Sequence, residues 1–318
     1  MVIVMVALSA IVSSLTDLEF AYINNTFYYS LNKHFYGRGF QVLYGLLGIL
    51  NRHQIPDLIA SVGHLTDDLL WEKHNFGFWN DTGVDYILPE FDFWGHPDFR
   101  APPHQYMFEA LQVGLPIYTD RMNMCFWSGS IRQRGYLRGM YLNCPSPKTR
   151  LQYHLVKEME LTSGKLTNLS VKSMQFDFRL HRQYQFYIYL FGTSWSSSLK
   201  RIASLGGVLL LPEKDPYESF VSLKLKECVN CVMYYSLNAT NFCPSIEAAM
   251  VSKTVQEFET MAKNLNDFMR HSFSFEQVYK YMVEVFSKFS ADHQRKNPPN
   301  YTVILMVSYM LEGKCSSN

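Results

Sequence analysis

The sequence predicts an α/β protein with two sheets, because each half of the chain carries one strand–helix–strand pattern. The clearest pattern is in the second half, where an aromatic and β-branched strand over 184–190 precedes a short helix over 199–205 and an apolar strand over 208–211. In the first half, apolar residues at helical spacing over 40–50 precede a short apolar strand over 58–62. In the second half, a short helix that joins two strands so closely predicts a parallel sheet.

The composition is that of a globular protein of one or two domains. Of the 318 residues, 47% are hydrophobic and 18% are charged, so the chain has ample material for a core. The net charge is +1, whereas a nucleic-acid-binding protein is expected to carry a basic face. We therefore expect no nucleic-acid partner.

Residues 1–12 form an apolar run that is too short for a membrane span, which needs about 20 residues. The run resembles the apolar part of a signal peptide with cleavage after Ser14, although no Lys or Arg precedes it. A buried first strand or helix is the alternative, and both interpretations stay open.

Acceptor motifs for N-glycosylation and the cysteines favour a secreted chain. The five motifs begin at Asn24, Asn80, Asn168, Asn238 and Asn300. Cys228, Cys231 and Cys243 lie close together without a nearby histidine, so we expect disulfide partners rather than a zinc site.

The other elements of the first half follow from apolar spacing and from Gly and Pro. Pro56 ends the first helix before the strand over 58–62. The stretch over 76–100 is rich in Gly, Pro, Asp and aromatic residues, and we expect ordered loop with one strand over 86–88. Next come a helix over 105–112, a strand that runs into a turn over 125–129, and a helix over 136–142.

The C-terminal third is predicted to be helical. Gly206 and Gly207 end the short helix before it. Apolar residues then recur at helical spacing over 246–269. A second helix is expected to open at Ser274, with Gln277 at the capping-box position.

The turn after the strand over 184–190 is a candidate anion site. It contains Gly192 and a run of hydroxyl side chains, and the first backbone N–H groups of the following helix lack partners within that helix. We expect Ser196 and Ser198 to cap the helix and to donate hydrogen bonds to a diphosphate, with Lys200 as a counter-charge. The alternative is that the serines only cap the helix.

A loop with a Gly-Ser pair and three arginines is the second candidate. Gly129 permits close approach of the backbone, Ser130 can donate a hydrogen bond, and Arg134 can clamp a phosphate through two hydrogen bonds. Arg132 and Arg138 flank Arg134, so a solvated charged face is the alternative.

Asp67 and Asp68 follow the strand over 58–62 and are candidates for a general base. Residues after parallel strands face the ligand crevice of an open sheet, and a carboxylate there can deprotonate an acceptor hydroxyl. A helix cap or a turn is the alternative role. The chain has no Asp-x-Asp metal motif, no Walker loop and no Gly-x-Ser-x-Gly elbow, which favours a metal-free sugar transferase over a metal-dependent one.

In their order along the chain, these segments resemble glycosyltransferase family 90, which includes the Rumi-like protein O-glucosyltransferases and the capsule-associated xylosyltransferases. The resemblance is closest to the plant-type branch and covers about residues 40–288. It is carried by the helix and Pro-Asp-Leu strand over 45–58, the aspartate-aromatic-Trp-Gly segment over 87–95, the Gly-Ser…Arg loop over 126–134, the Gly-x-x-Trp-Ser-x-Ser-x-Lys turn over 192–200, and the closing helices at 243–246 and 278–282.

The resemblance implies a GT-B fold of two Rossmann-like domains facing a cleft, with C-terminal helices. It implies inverting, metal-independent transfer from UDP-glucose or UDP-xylose to a glycoprotein Ser or Thr hydroxyl or to a glycan hydroxyl, without a cofactor. The expected place is the lumen of the ER or Golgi, with peripheral or no membrane contact. Carried over by position, the residues that bind the UDP-sugar are Ser130, Arg134, Thr193, Ser194, Trp195, Ser196, Ser197, Ser198 and Lys200. The base falls at Asp67, or at Asp68 if the alignment shifts by one residue.

The predicted domain organisation has four parts. A signal peptide or buried element over 1–14 precedes an acceptor domain over 15–120, a UDP-sugar-binding domain over 121–270, and a helix and tail over 271–318. Ser198 stands where Rumi-type members have Arg, although the plant-type branch has Ser. The segment over 63–68 fits the family only with a one-residue shift and lacks the Pro that usually follows the aspartate. A catalytically inactive relative that binds nucleotide-sugar or glycoprotein is therefore the alternative function.

Overall fold

The computed structural model describes residues 2–6, 18–23, 26–31, 36–62, 74–78, 84–95, 102–127, 136–144, 180–192, 196–293 and 303–305. These residues form a mixed α/β protein, as the sequence predicts, and the chain divides into two compact units. The first unit comprises Met1–Leu88 and Tyr279–Asn318, and the second comprises Pro89–Val278. The limits of the functional domains stay a prediction.

The first unit is built on a seven-stranded mixed sheet. Its strands are β1 (Val2–Val6), β2 (Leu18–Ile23), β3 (Thr26–Leu31), β4 (Leu58–Val62), β5 (His74–Gly77), β6 (Val84–Ile87) and β11 (Val303–Leu305). They lie in the order β11-β1-β3-β2-β4-β5-β6. The pairs β1–β3, β4–β5 and β5–β6 are parallel, and the other three pairs are antiparallel.

Most predicted elements of the first unit are confirmed. The helix α1 (Tyr36–Leu50) ends where expected but begins four residues earlier, and β4 has the predicted bounds. Within 76–100 the sequence predicts one strand, which is β6, and does not predict β5, because its segment His-Asn-Phe-Gly shows neither alternation nor β-branched residues. For the N-terminal run the structure has a strand, β1, and whether the run is cleaved stays a prediction.

Phe76 lies at the centre of the core of the first unit. Its ring centroid is 5.3 Å from that of Phe286 and 4.9 Å from that of Phe289, both on the helix α8 (Phe275–Asp292). A side chain at Gly48 would collide with the Tyr279 hydroxyl. Glycine at this position therefore lets α1 pack closely against α8.

The second unit is built on a four-stranded parallel sheet. Its strands are β7 (Met122–Phe126), β8 (Tyr184–Ile188), β9 (Val208–Pro212) and β10 (Val232–Tyr235), in the order β10-β9-β8-β7. Every residue of β9 is buried, which explains its continuous apolar sequence. The parallel pairing of β8 with β9 confirms the predicted strand–helix–strand unit.

The helices of the second unit correct one prediction. They are α2 (His104–Gln112), α3 (Tyr136–Leu142), α4 (Ser198–Ala203), α5 (Phe220–Leu225), α6 (Phe242–Val251) and α7 (Val255–Ser272). The helical spacing over 246–269 belongs to two helices, because Thr254 and Glu257 form a capping box that starts α7. Ser274 Oγ accepts the Gln277 N–H at 3.4 Å, as predicted for the start of α8. Among the described residues, no helix combines the length and apolarity needed to span a bilayer.

Two disulfides stabilise the second unit. Cys144, which follows α3, is bonded to Cys243 in α6, and Cys228 is bonded to Cys231 in the turn before β10. The expectation that Cys228, Cys231 and Cys243 are disulfide partners is therefore confirmed. The thiol of Cys125 is buried in β7.

Candidate functional site

The carboxyl ends of the four parallel strands form the edge at which a ligand site is expected. In an open sheet of parallel strands, the segments that follow the strands line the ligand crevice. Trp127 follows β7 and Tyr189 follows β8, and each side chain is 1% exposed. These two buried aromatic residues lie at the base of the candidate site.

Tyr189 fixes the backbone of the turn after β8. Its hydroxyl accepts a hydrogen bond from the Ser196 N–H at 3.0 Å, and its carbonyl oxygen accepts one from the Tyr235 hydroxyl at 2.7 Å. Burial raises the pKa of Tyr189 well above its ordinary value, so this hydroxyl stays protonated at physiological pH. The start of the turn is thereby tied to β8 and β10, which lie on either side of β9.

The serine side chains of the turn do not cap α4, so the expectation that Ser196 and Ser198 do so is wrong. The helix begins at Ser198 and its N-cap is Ser197, whose side chain makes no capping hydrogen bond. Instead, Ser196 Oγ lies 2.9 Å from Ser198 Oγ. Ser196 lies one residue before the N-cap, and its N–H donates to the Tyr189 hydroxyl. A pair of partly exposed hydroxyls is what this turn offers to a ligand.

Arg138 lies beside the same turn. Its guanidinium carbon is 5.5 Å from the Trp127 ring centroid, within the range of a cation–π interaction. A Cβ at Gly192 would lie 3.1 Å from Arg138 Nη2, so the guanidinium occupies the space that a side chain at residue 192 would need. This contact gives a physical reason for glycine at the start of the turn.

Arg138 is held at this place by α3. The Tyr141 hydroxyl donates to the Cys125 carbonyl oxygen at 2.6 Å, which ties α3 to β7. The sequence allows a solvated face for the arginines of this segment, but the structure packs Arg138 against an aromatic ring at the carboxyl edge of the sheet.

Seven of the predicted site residues lie outside the described residues. They are Asp67, Asp68, Ser130, Arg134, Thr193, Ser194 and Trp195. Their roles stay predictions. The described members of the predicted set are Ser196, Ser197, Ser198 and Lys200.

Lys200 is buried, with 2% of its side chain exposed. Its ammonium pairs with the Asp92 carboxylate and lies 3.8 Å from Glu90 Oε2. It also donates to the Ser197 carbonyl oxygen at 3.0 Å and lies 5.4 Å from the Phe93 ring centroid. Lys200 therefore joins the segment over 90–94 to the serine turn, and its direct contact with a phosphate stays a prediction.

Glu90 and His104 are buried titratable groups next to Lys200. Burial raises the pKa of Glu90 to about 7, and the Lys200 charge opposes this shift. Burial also lowers the pKa of His104 to about 3, in the same direction as the Lys200 charge, so this ring is neutral at physiological pH. No role for Glu90, Asp92 or His104 is predicted from the sequence. The available signal was a pair of carboxylates inside the aromatic segment over 90–94.

Replacing Glu90 by glutamine is expected to change stability in a pH-dependent way. The carboxyl titrates near 4.5 in the unfolded chain and near 7 in the folded protein, so the folded protein holds the proton between these values. The stabilisation that this proton gives is complete below pH 4.5 and is lost as the pH rises to 7. Relative to the wild type, Glu90→Gln should gain about 3 kcal/mol of unfolding free energy across this window, measured by urea unfolding.

His104 changes the stability in the opposite direction with pH. Because its pKa is lowered in the folded protein, the stabilisation from its neutral ring is lost as the pH falls below 6.5. This effect is common to both proteins and cancels in the difference. Glu247→Gln, at an exposed position of α6, is the control and should differ from the wild type by a constant amount. If the difference in unfolding free energy between Glu90→Gln and the wild type were also independent of pH, Glu90 would not hold a proton in the folded protein.

Within the described ranges, no three His, Cys, Asp or Glu side chains are placed to hold a metal ion. Cys228, Cys231 and Cys243, for which the sequence favours disulfides over a zinc site, form disulfides. Metal independence stays a prediction.

Comparison with known proteins identifies the family. The model of glycosyl transferase family 90 matches residues 76–310, about three quarters of the chain. No curated protein matches the chain. The matched region contains the four parallel strands, Arg138 and the serine turn. The chain therefore belongs to glycosyl transferase family 90, and the family predicted from its motifs is confirmed.

Proposed function

We propose that this protein is an inverting, metal-independent glycosyltransferase with a GT-B fold. It transfers glucose or xylose from a UDP-sugar to a Ser or Thr hydroxyl of a protein, or to a glycan hydroxyl, in the lumen of the ER or Golgi. Membership of the family makes the chain a glycosyltransferase, which uses a nucleotide-sugar donor and an acceptor. The donor, the acceptor, the stereochemistry and the compartment are the proposed part.

One observation carries the proposal: a cation and a hydroxyl-rich turn meet at the carboxyl edge of the parallel sheet. The Arg138 guanidinium lies beside Gly192, where a Cβ would be 3.1 Å from Nη2. Tyr189 interacts with both the turn and the cation. Its hydroxyl accepts a hydrogen bond from the Ser196 N–H, and the Arg138 charge partly opposes the increase in its pKa that burial causes. Guanidinium groups and hydroxyl donors are the groups that bind a diphosphate without a metal.

These groups suit the charge that develops during transfer. The acceptor oxygen forms a bond to C1 of the sugar while the bond from C1 to the β-phosphate oxygen breaks, and a general base takes the acceptor proton. Negative charge then grows on the departing UDP. Donors that are already in place, such as Arg138 and the hydroxyls of Ser196 and Ser198, stabilise this charge without reorganisation. Asp67 is the proposed base.

UDP is expected to stabilise the folded protein, because only the folded chain brings Arg138 beside the serine turn. At 100 times its dissociation constant, the nucleotide should add about 2.7 kcal/mol to the free energy of unfolding. The measurement is the melting temperature with increasing UDP, in the presence and absence of a chelator. The shift should survive the chelator, and the absence of any shift at saturating UDP would contradict the proposed site.

Arg138→Gln is expected to weaken UDP binding about tenfold or more, because a charge-assisted contact to a phosphate is lost. Its affinity for uridine, which has no phosphate, should stay within about twofold of the wild type. Arg134→Ala should weaken UDP binding by a similar factor, and Arg132→Ala should weaken it less. Isothermal titration with UDP and with uridine measures both affinities.

The control for Arg138 is Arg270→Gln, at an exposed position of α7. It should leave both affinities unchanged. Equal losses for UDP and uridine in Arg138→Gln would mean that Arg138 only supports the fold. Unchanged affinity for UDP would exclude Arg138 from the phosphate site.

A further inference from the structure

The turn between β10 and α6 carries an acceptor motif that the transfer activity does not use. Asn238, Ala239 and Thr240 form an Asn-x-Thr triplet without proline, and all three residues are exposed. Of the five motifs in the sequence, this is the one whose asparagine lies in the described residues.

The hydrogen bonds of the turn leave the reactive atom of the asparagine accessible. Asn238 Oδ1 accepts from the Thr240 N–H at 3.0 Å and from the Thr240 hydroxyl at 2.8 Å. The Asn238 N–H donates to Ser236 Oγ at 3.2 Å, and its carbonyl oxygen accepts from the Asn241 N–H at 3.0 Å. Within the described part of the chain, Asn238 Nδ2 makes no hydrogen bond. The amide is therefore fixed through its oxygen, while its nitrogen stays in solvent.

The disulfides around this turn are typical of the compartment in which such motifs are modified. Cys243, five residues after Asn238, is bonded to Cys144, and Cys228 and Cys231 are bonded to each other before β10. Disulfides form and persist in oxidising compartments such as the ER lumen. N-glycosylation of Asn-x-Ser/Thr motifs is a modification of the same secreted chains.

We propose that Asn238 is an N-glycosylation site, whose donor is a lipid-linked oligosaccharide. A bond forms between Asn238 Nδ2 and C1 of the first sugar, the bond from C1 to the lipid pyrophosphate breaks, and one Nδ2 proton is released. The modification is independent of the transferase activity proposed above. Because Asn238 is exposed in a surface turn, an attached glycan displaces no core side chain.

The test is site-specific mass spectrometry of the full chain produced in a eukaryotic secretory cell. Treatment with a peptide-N-glycosidase in heavy-oxygen water converts each glycosylated asparagine into a labelled aspartate. The peptide that contains residue 238 should carry the label in the wild type and in Thr240→Ser, which keeps the motif. Label should be lost in Asn238→Gln and in Thr240→Val, which keeps the shape of threonine but lacks the hydroxyl.

The peptide-level measurement separates Asn238 from the other four motifs, which lie in other peptides. An unlabelled residue 238 in the wild-type protein would overturn the proposal. Equal labelling of the wild type and of Thr240→Val would also overturn it, because the label would then come from deamidation.

Discussion

Asp67→Asn is expected to lower the rate of sugar transfer by about 10²- to 10⁴-fold while UDP affinity stays nearly unchanged. An acceptor hydroxyl is a poor nucleophile until a positioned carboxylate removes its proton. Asparagine keeps the shape of the side chain and removes its basicity. Initial rates with a saturating UDP-sugar and isothermal titration with UDP measure the two effects separately.

Asp68→Asn is the matched control and should change the rate mildly. If Asp68 proves essential and Asp67 does not, the alignment of the segment over 63–68 with the family is shifted by one residue. If neither substitution slows an active wild-type enzyme, the base lies elsewhere in the chain.

Lys200→Met is expected to lower the free energy of unfolding by about 3–5 kcal/mol, because it removes the buried partner of the Asp92 carboxylate. Asp92 pairs directly with the Lys200 ammonium, and Glu90 lies 3.8 Å from it. The methionine side chain matches the volume of the lysine stem, so lost charge rather than lost packing dominates. Urea unfolding measures the effect.

Lys226→Met is the control, because Lys226 pairs with Glu218 at the surface and is 53% exposed. Surface pairs contribute about 1 kcal/mol or less. A loss for Lys200→Met as small as that of the control would show that the buried pair does not stabilise the second unit.

The sequence predicts the strands whose local pattern matches their burial. β9 is buried at every residue and its sequence is an unbroken apolar run, and β4 is predicted with the bounds that the structure shows. β5 has His74, Asn75 and Gly77 around one buried phenylalanine, so neither its length nor its composition marks it as a strand. The break between α6 and α7 had a local signal, the capping box from Thr254 to Glu257, which the apolar spacing alone does not show.

The sequence predicts where the candidate site lies, but it does not predict which side chains contact one another there. The Gly-x-x-Trp-Ser turn follows a strong strand, so its position at the edge of the sheet follows from the sequence. The partner of Lys200 is Asp92, 108 residues earlier in the chain, and no local pattern links them. The local sequence also does not distinguish Arg138 from its neighbours. Its contacts with Trp127 and Gly192 depend on the packing of α3 against the sheet.

The most direct test of the proposed function is a donor screen with the purified full chain. UDP-glucose, UDP-xylose and other UDP-sugars are incubated with the protein, and UDP release is measured with and without a chelator. We predict release from UDP-glucose or UDP-xylose that the chelator does not reduce and that Asp67→Asn slows by about 10²- to 10⁴-fold. No release from any donor by a folded protein that binds UDP would contradict the proposed activity and identify the chain as an inactive member of its family.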